Sequence, residues 1–159
     1  MPVITLSTII NAPKERVFDL SRSIDLHQQS MLHTNEIAIA GRTTGLIESD
    51  ETVTWQARHL FKTRTMEVKI TKMLPYEFFA DEMISGDFKS MCHEHHFSFE
   101  NGKTIMKDVF AFEAPYNIIG KVFCKFYLTQ YMTDLLAQRN LVIKEYAETV
   151  KWKTILASS

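Results

Sequence analysis

A stripe of apolar and aromatic positions recurs every three or four residues near the C-terminus of the chain. This spacing places the side chains on one face of an α-helix, and the segment contains no proline. It predicts a single helix over residues 117–151, about 50 Å long at 1.5 Å per residue. The stripe consists of Ile119, Val122, Phe123, Phe126, Tyr127, Gln130, Tyr131, Leu135, Gln138, Val142, Ile143 and Tyr146.

Alternating apolar and polar residues predict seven β-strands ahead of this helix. The strands cover residues 3–10, 35–40, 52–61, 65–74, 78–84, 88–99 and 104–113. Two short helices are predicted between the first two strands. The first follows Asn11 and Pro13, with Asn11 as a candidate cap, and the second covers residues 21–32 with Ser23 as its candidate cap. This order predicts one two-layer α+β domain over residues 1–159, with an antiparallel sheet on one long helix.

The composition excludes several classes of protein. Lys and Arg number 18 against 19 Asp and Glu, for a net charge of −1, so no basic face for nucleic acid is expected. No apolar run approaches the roughly 18 residues of a membrane span. The N-terminus lacks a signal-peptide pattern, so a cytoplasmic location is expected. Cys92 and Cys124 have no metal or redox spacing, and both are interpreted as free thiols.

The predicted inner face of the sheet carries polar side chains among the apolar ones. Since isolated charges are costly to bury, these are the candidate functional groups. Asn101 and Gly102 favour a two-residue hairpin. If Glu100 faces Lys103 across it, His95 faces Asp108 with Cβ atoms about 5 Å apart. The polar or amphipathic members of this face are Trp55, His59, Asp81, His93, His95 and Asp108.

The paired histidines and aspartates permit three interpretations. In the first, His95 backed by Asp108 acts as a general base, with His93 or Asp81 as the partner acid. In the second, the same groups only hydrogen-bond a ligand or each other. In the third, His93 and His95 bind zinc or iron with Asp108. The expectation is a site without metal or cofactor. Counting through the hairpins places His59 toward the opposite end of the sheet, up to about 20 Å from His95.

Four segments carry a resemblance to a known superfamily. They are residues 9–18 (IINAPKERVF), 53–59 (VTWQARH), 88–97 (FKSMCHEHHF) and 104–108 (TIMKD). Together with the order of elements, they resemble the helix-grip superfamily of START-like and birch-pollen-allergen-like proteins, called SRPBCC. The likeness is greatest to a bacterial branch labelled polyketide cyclase/dehydrase-like or of unknown function. The resemblance implies a curved sheet gripping the helix, with a deep cavity for an apolar ligand. It does not imply one reaction.

The predicted cavity lining combines aromatic residues with adaptable methionines. Each aromatic residue also fits a plain core position. The predicted ligand-binding set is Trp55, His59, Met66, Phe79, Met83, Met91, Phe97, Phe110, Phe112, Phe123, Tyr127 and Tyr131. In this fold His27, His33 and Glu36 would lie near the cavity mouth, where His33 with Glu36 lines it or forms a surface pair. Arg139 is expected to form a salt bridge rather than to bind a ligand.

The leading functional hypothesis is binding of a hydrophobic small molecule in an interior cavity. A first alternative is a cofactor-independent cyclase, dehydratase or hydrolase that uses the cavity His and Asp residues. A second alternative is a non-catalytic stress or interaction protein with a filled core. No nucleic-acid partner and no membrane insertion are expected. The sequence leaves open the ligand, whether any reaction is catalysed, and the oligomeric state.

Overall fold

The structure is a computed structural model that describes residues 1–114 and 121–157, without the side chains at positions 121, 123 and 124. The elements are β1 (Val3–Ile10), α1 (Lys14–Ser21), α2 (Ile24–Ser30), β2 (Ile37–Gly41), β3 (Thr52–His59), β4 (Lys62–Leu74), β5 (Phe78–Ser85), β6 (Ser90–Glu100), β7 (Lys103–Glu113), α3 (Lys121–Glu148) and α4 (Trp152–Leu156). A short 3₁₀ turn, Leu32–Thr34, precedes β2. Among the described residues, no helix combines the length and apolarity that a membrane crossing requires.

The seven strands form one antiparallel sheet in the order β1-β7-β6-β5-β4-β3-β2. Consecutive strands from β2 to β7 are neighbours, and β1 closes the far edge beside β7. The helices α1 and α2 therefore carry the chain from one edge of the sheet to the other. The register shifts twice in β4, between Glu67 and Val68 and between Ile70 and Lys72. Such bulges bend a strand and increase the local twist. The predicted α+β helix-grip architecture is confirmed.

The sheet and α3 share one hydrophobic core. From α3 the core takes Leu136, Ile143 and Ala147. The helix α1 contributes Val17 and Phe18, which are almost completely buried. Burying a side chain of this size contributes about 1.5–3 kcal/mol relative to leaving it exposed. The core thus fixes α3 and α1 against the same concave side of the sheet.

The C-terminal helix differs from the prediction in length and in its buried face. It ends at Glu148, a short turn leads into α4, and residues 117–120 lie outside the described residues. Of the predicted stripe, Val122, Phe126 and Tyr127 are 70%, 74% and 53% exposed. Leu135 and Ile143 of the stripe are buried as predicted, and the buried face also includes Leu136, Arg139, Asn140 and Ala147 from outside it. Apolar residues occur all around this helix, and its buried face includes two polar side chains, so hydrophobic spacing identified only part of the buried face.

One of the two predicted helix caps is confirmed. The Ser23 hydroxyl accepts a hydrogen bond from the Leu26 backbone N–H at 3.2 Å and caps α2. The cap position of α1 is Pro13, without a side-chain hydrogen bond. Asn11 lies two residues before the cap position and does not cap α1; its backbone N–H donates to Glu148 Oε1 at 2.8 Å and ties the end of β1 to the end of α3.

The β3–β4 hairpin turns earlier along the chain than predicted. His59 pairs with Lys62, so Leu60 and Phe61 form a two-residue turn. Both have positive φ angles, 51° and 66°, as the tight hairpin requires. Phe61 is 96% exposed and does not belong to the inner face on which the strand alternation placed it. Phe99, at the end of β6, is likewise exposed.

Candidate ligand-binding site

A cavity of about 230 Å³ lies between the sheet and the C-terminal helix. This volume is just below the range of about 300–1,000 Å³ that small-molecule pockets commonly have. Its wall is mainly apolar and comes from α2, the central strands and α3. The principal apolar lining residues are Trp55, Ala57, Met66, Val68, Ile70, Phe79, Met91, Phe110, Met132, Leu135 and Leu136.

More than half of the predicted lining set faces this cavity. Those residues are Trp55, His59, Met66, Phe79, Met91, Phe110 and Tyr131. Four others do not line it, although the strand pattern placed three of them on the inner face. Phe112 is fully buried against Phe88 and Phe110, and Phe97 packs against Phe18. Met83 is half-buried at the edge of the core, and Tyr127 is exposed on α3.

The inner face of the sheet is thus longer than the cavity, and its ends are filled by other core side chains. The side chain of Phe123, the remaining member of the predicted set, lies outside the described residues.

A buried polar network joins the wall of the cavity to α3, with Asp108 of β7 at its centre. Asp108 Oδ1 accepts from His93 Nε2 at 2.9 Å and from Arg139 Nη1 at 3.4 Å. Asp108 Oδ2 accepts from Asn140 Nδ2 at 2.7 Å. Arg139 also donates to the Ser21 backbone carbonyl at 3.1 Å. The expected salt bridge of Arg139 is confirmed, and the network satisfies charges that would otherwise be costly to bury.

Two histidines of β6 are paired with carboxylates of the neighbouring strands along diagonals. In the sheet register, His95 is opposite Asp108 and His93 is opposite Asp81. The predicted register of the β6–β7 hairpin is therefore confirmed. The hydrogen bonds cross over, however, because His93 donates to Asp108 while His95 Nε2 donates to Asp81 Oδ1 at 3.0 Å. The predicted pairing of His95 with Asp108 is present as a close contact, with His95 Nδ1 3.1 Å from Asp108 Oδ1.

His95 is held between two carboxylates and two rings. Its Nδ1 lies 3.1 Å from Asp108 Oδ1, yet it makes no hydrogen bond to any described residue. Phe79 stacks on the ring at 4.1 Å between centroids, and the His93 ring lies 3.8 Å away. A neutral imidazole has one N–H donor, so only the imidazolium form can donate to both carboxylates at once. The side chain is thus fixed in position and faces the cavity.

Burial and neighbouring charges shift the pKa values of this network in a consistent way. Burial, followed by the charge of His95, lowers the pKa of His93 to about 4, although Asp108 opposes this. Burial would raise the pKa of Asp108, but the hydrogen bond from His93, the close approach of His95 and the charge of Arg139 hold it well below its usual range. Burial would likewise raise the pKa of Asp81, but the hydrogen bond from His95 lowers it below its usual value. Near neutral pH the site contains ionised carboxylates and a neutral His93.

A second polar group, the opening cluster, comprises His27, Glu36, His59 and Tyr131. Glu36 binds His27 Nε2 at 2.5 Å and lies 3.8 Å from His59 Nε2. His59 Nδ1 lies 2.8 Å from the Tyr131 hydroxyl. All four side chains line the cavity and are half-buried. The neighbouring lining residue Leu60 is 41% exposed, so the cavity opens to solvent here.

The two polar groups lie beside opposite ends of β4. Counting residues through the hairpins predicted this separation. His59 pairs with Lys62, at the first residue of β4. His95 pairs with Phe79, which pairs with Met73 near the last residue of β4. His59 therefore belongs to a separate hydrogen-bonded group from His95, although both line one cavity.

Several site residues were missed or misassigned by sequence reasoning. Asn140 was not identified. It lies four residues after Leu136 and three before Ile143, a helical spacing that places it on the same buried face of α3. The partner of Glu36 is His27 rather than His33. That pairing joins residues nine positions apart across a turn, which no strand or helix period predicts.

The opening cluster makes stability depend on pH. Burial would raise the pKa of Glu36, but the charge of His27 and its hydrogen bond lower it below the usual value. A lowered pKa stabilises the fold above the unfolded-state pKa, and this stabilisation is lost as the pH falls through the folded-state pKa. We expect Glu36→Gln to lower the free energy of unfolding by about 1.5–3 kcal/mol at pH 6, the loss of a charge-assisted hydrogen bond. The difference from wild type should shrink below about pH 4.3.

Urea denaturation at a series of pH values measures this effect. The matched control is Glu94→Gln, which removes the carboxylate of an exposed His–Glu pair, 2.9 Å from His96 on the outer face of β6. The control should stay within about 1 kcal/mol of wild type. A Glu36→Gln difference that grows on acidification would contradict the prediction.

Comparison with known proteins places the fold but not a function. No protein-family model matches the sequence, and no curated protein matches it. Solved structures match over nearly the whole chain. TTHA0849 from Thermus thermophilus has a TM-score of 0.71 at 17% identity and covers 99% of each chain. CV1439 from Chromobacterium violaceum has a TM-score of 0.70 at 10% identity, covering 94% of this chain and 99% of that one.

A plant protein shows the same architecture. Major latex-like protein 151 from Panax ginseng has a TM-score of 0.65 at 12% identity, and the match covers 93% of this chain and 98% of that one. At such identities the likeness concerns the fold alone. The chain has the helix-grip fold of START-like and birch-pollen-allergen-like proteins, a seven-stranded antiparallel sheet wrapped around a C-terminal helix.

Proposed function

We propose that the chain, as one domain over residues 1–159, binds a hydrophobic small molecule in the cavity between the sheet and α3. The observation that carries the proposal is the apolar cavity of about 230 Å³, with its opening beside α2 and the β3–β4 turn. Removing apolar ligand surface from water contributes about 25 cal/mol per Å². The helix-grip fold agrees with this function but does not specify a ligand.

The polar groups in the cavity wall indicate what such a ligand carries. Its body contacts aromatic and methionine side chains, and methionine adapts to irregular shapes. The opening cluster offers the Tyr131 hydroxyl and the His59 ring, while the inner end offers Asp81, His93 and His95. We therefore propose a small apolar molecule with at least one hydrogen-bonding group. A cytoplasmic location and the absence of a nucleic-acid partner stay predictions.

Intrinsic fluorescence offers a direct test, since one of the two tryptophans lines the cavity. Trp152 packs under Arg16, 4.4 Å from its guanidinium, and Trp152→Phe would leave Trp55 as the sole tryptophan. We expect saturable quenching of Trp55 by 1-anilinonaphthalene-8-sulfonate, with displacement by members of a panel of fatty acids, aromatic acids and polyketides. The titration is run with a metal chelator present.

A second variant tests whether binding occurs in the cavity. Ala57 lines it between Trp55 and His59, and Ala57→Leu would occupy part of the space. We expect affinity at least about tenfold lower, a loss of about 1.4 kcal/mol. Ala40→Leu, at an exposed position of β2, is the control and should leave affinity unchanged. No saturable binding, or equal binding by Ala57→Leu, would overturn the proposal, provided that both variants melt cooperatively.

A second candidate function is cofactor-independent acid–base catalysis. The observation that favours it is the His95 ring, which faces the cavity between two carboxylates. A base held in this way suits enolisation, aldol cyclisation or dehydration. Once a ligand is known, His95→Gln distinguishes the two functions. A binding protein loses affinity, whereas an enzyme loses turnover with little change in affinity.

A further inference from the structure

Three side chains in the cavity wall bring metal-binding atoms close together. Asp81, His93 and His95 each offer one ligand atom, and these atoms lie within 4.8 Å of one another. Ligand atoms of one tetrahedral zinc ion lie about 2.0–2.2 Å from it, so two of them are about 3.4 Å apart. Side-chain adjustments of up to about 1.4 Å between the most distant atoms therefore bring the set to coordinating distance. Two imidazoles and one carboxylate are a common ligand set for divalent zinc and iron.

The hydrogen bonds around the two imidazoles orient them for coordination. A ligating histidine usually donates its other ring N–H to a carboxylate, which fixes its tautomer. His93 donates from Nε2 to Asp108, so its Nδ1 keeps a free lone pair. His95 Nε2 lies 3.0 Å from Asp81 Oδ1, close to the separation of two ligands on one ion.

The unpaired nitrogen of His95 has a use in such a site. With Nε2 on an ion, the His95 proton is carried by Nδ1, which lies 3.1 Å from Asp108 Oδ1. This explains why a buried nitrogen without a hydrogen bond to any described residue lies so close to a carboxylate. Asp108 would then support both imidazoles, and Asn140 and Arg139 hold Asp108 in place from α3.

The charges of the buried network favour a cation at this position. Asp81 and Asp108 are two carboxylates, whereas Arg139 is the single guanidinium that touches the network among the described residues. The two carboxylates thus outnumber the one guanidinium in this part of the cavity wall. A buried charge is stabilised by pairing with an opposite charge or by coordination of a metal.

We propose that Asp81, His93 and His95 bind one divalent first-row transition-metal ion in the cavity wall, with Asp108 as the positioning residue for both imidazoles. All three ligands face the cavity, so the remaining coordination positions of the ion are open to a bound molecule. The proposal departs from the expectation of a metal-free site. It replaces Asp108, the carboxylate that the strand pattern suggested as a ligand, with Asp81.

Cobalt(II) is the probe, because a four- or five-coordinate Co²⁺ ion has visible d–d absorption. Untagged protein is stripped with a chelator, dialysed and titrated with Co²⁺, followed by competition with Zn²⁺. We expect saturation at one ion per chain and complete displacement by Zn²⁺. Asp81→Asn should weaken Co²⁺ binding about tenfold or more. Mutating a residue that only hydrogen-bonds a metal ligand already costs this much, and Asp81 is a proposed ligand itself. His93→Gln should have a similar effect.

His96→Ala is the matched control. His96 follows His95 on β6 but points to the outer face, where it pairs with Glu94. Removing it should leave Co²⁺ affinity and absorption unchanged. Asp81 is the least buried of the three ligands, at 17% exposure of its side chain, so Asp81→Asn decides the test if His93→Gln fails to fold.

Three results would overturn the proposal: no saturable Co²⁺ binding by wild type up to millimolar Co²⁺, equal binding by Asp81→Asn, or loss of binding in His96→Ala. The measurement uses no organic ligand, and the fluorescence titration contains a chelator. Failure of the metal site and failure of the proposed ligand binding are therefore separate results.

Discussion

Asp108→Ala is expected to lower the free energy of unfolding by about 3–5 kcal/mol, measured by urea denaturation in the presence of a chelator. Asp108 is completely buried and accepts hydrogen bonds from His93, Arg139 and Asn140. Removing the carboxylate leaves the Arg139 guanidinium buried at 4% exposure without its counter-charge. The penalty comes from the unpaired cation and two unpaired donors rather than from the lost contact itself.

A double mutant separates the charge pair from the rest of the network. Arg139→Met removes the unpaired cation, so Asp108→Asn with Arg139→Met should be more stable than the sum of the single effects by at least about 1 kcal/mol. Glu113→Ala is the control. Glu113 pairs with Lys89 at 3.3 Å, but both are more than half exposed, and the loss should be below about 1 kcal/mol. An Asp108→Ala protein within about 1 kcal/mol of wild type would disprove this account of the network.

Phe18→Ala is expected to lower the free energy of unfolding by about 3–5 kcal/mol and to weaken ligand binding. Phe18 of α1 is 1% exposed and meets Tyr76, Phe79 and Phe97 edge-on, with ring centroids 5.3–5.6 Å apart. Truncation leaves a cavity in this cluster, because neighbours close only part of the space. Phe79 also lines the cavity and stacks on His95. Truncation of Phe18 therefore removes a packing partner of a cavity-wall residue.

Thermal and urea denaturation measure the first effect, and the Trp55 titration measures the second. Phe18→Leu keeps most of the volume and should cost less than about 1.5 kcal/mol. Phe126→Ala, at a position of α3 that is 74% exposed, should change stability by no more than about 0.5 kcal/mol. If Phe18→Ala and Phe126→Ala were equally stable, α1 would not be anchored through this cluster.

The binding, catalytic and metal-site hypotheses all use the same buried network, whose members differ in how much they also stabilise the fold. Asp108 and Arg139 hold α3 against the sheet, while Asp81, His93 and His95 face the cavity. Loss of function in an Asp108 variant would therefore combine a structural and a positioning effect. Asp81 variants are more informative about the site, because the one hydrogen bond of Asp81 among the described residues is to His95, and Asp81 has none to α3.

The sequence by itself determined the order of elements and most of the buried strand faces. Strand faces follow from a period of two, which needs no knowledge of partners. The β6–β7 register was also local, because the Asn101-Gly102 turn fixes which residues oppose each other. That register placed His95 opposite Asp108 correctly and so located the centre of the site.

Only the tertiary structure decided which groups bond and which cavity they face. Asp81 is opposite His93 in the β5–β6 register, and its hydrogen bond to His95 is set by how the side chains pack on that face, which has no local sequence period. The rotation of α3 placed Arg139 and Asn140 on Asp108, since packing selects among several comparable helix faces. In the opening cluster, His59 of β3 and Tyr131 of α3 are 72 positions apart in the chain, so their contact arises only when the sheet closes on the helix.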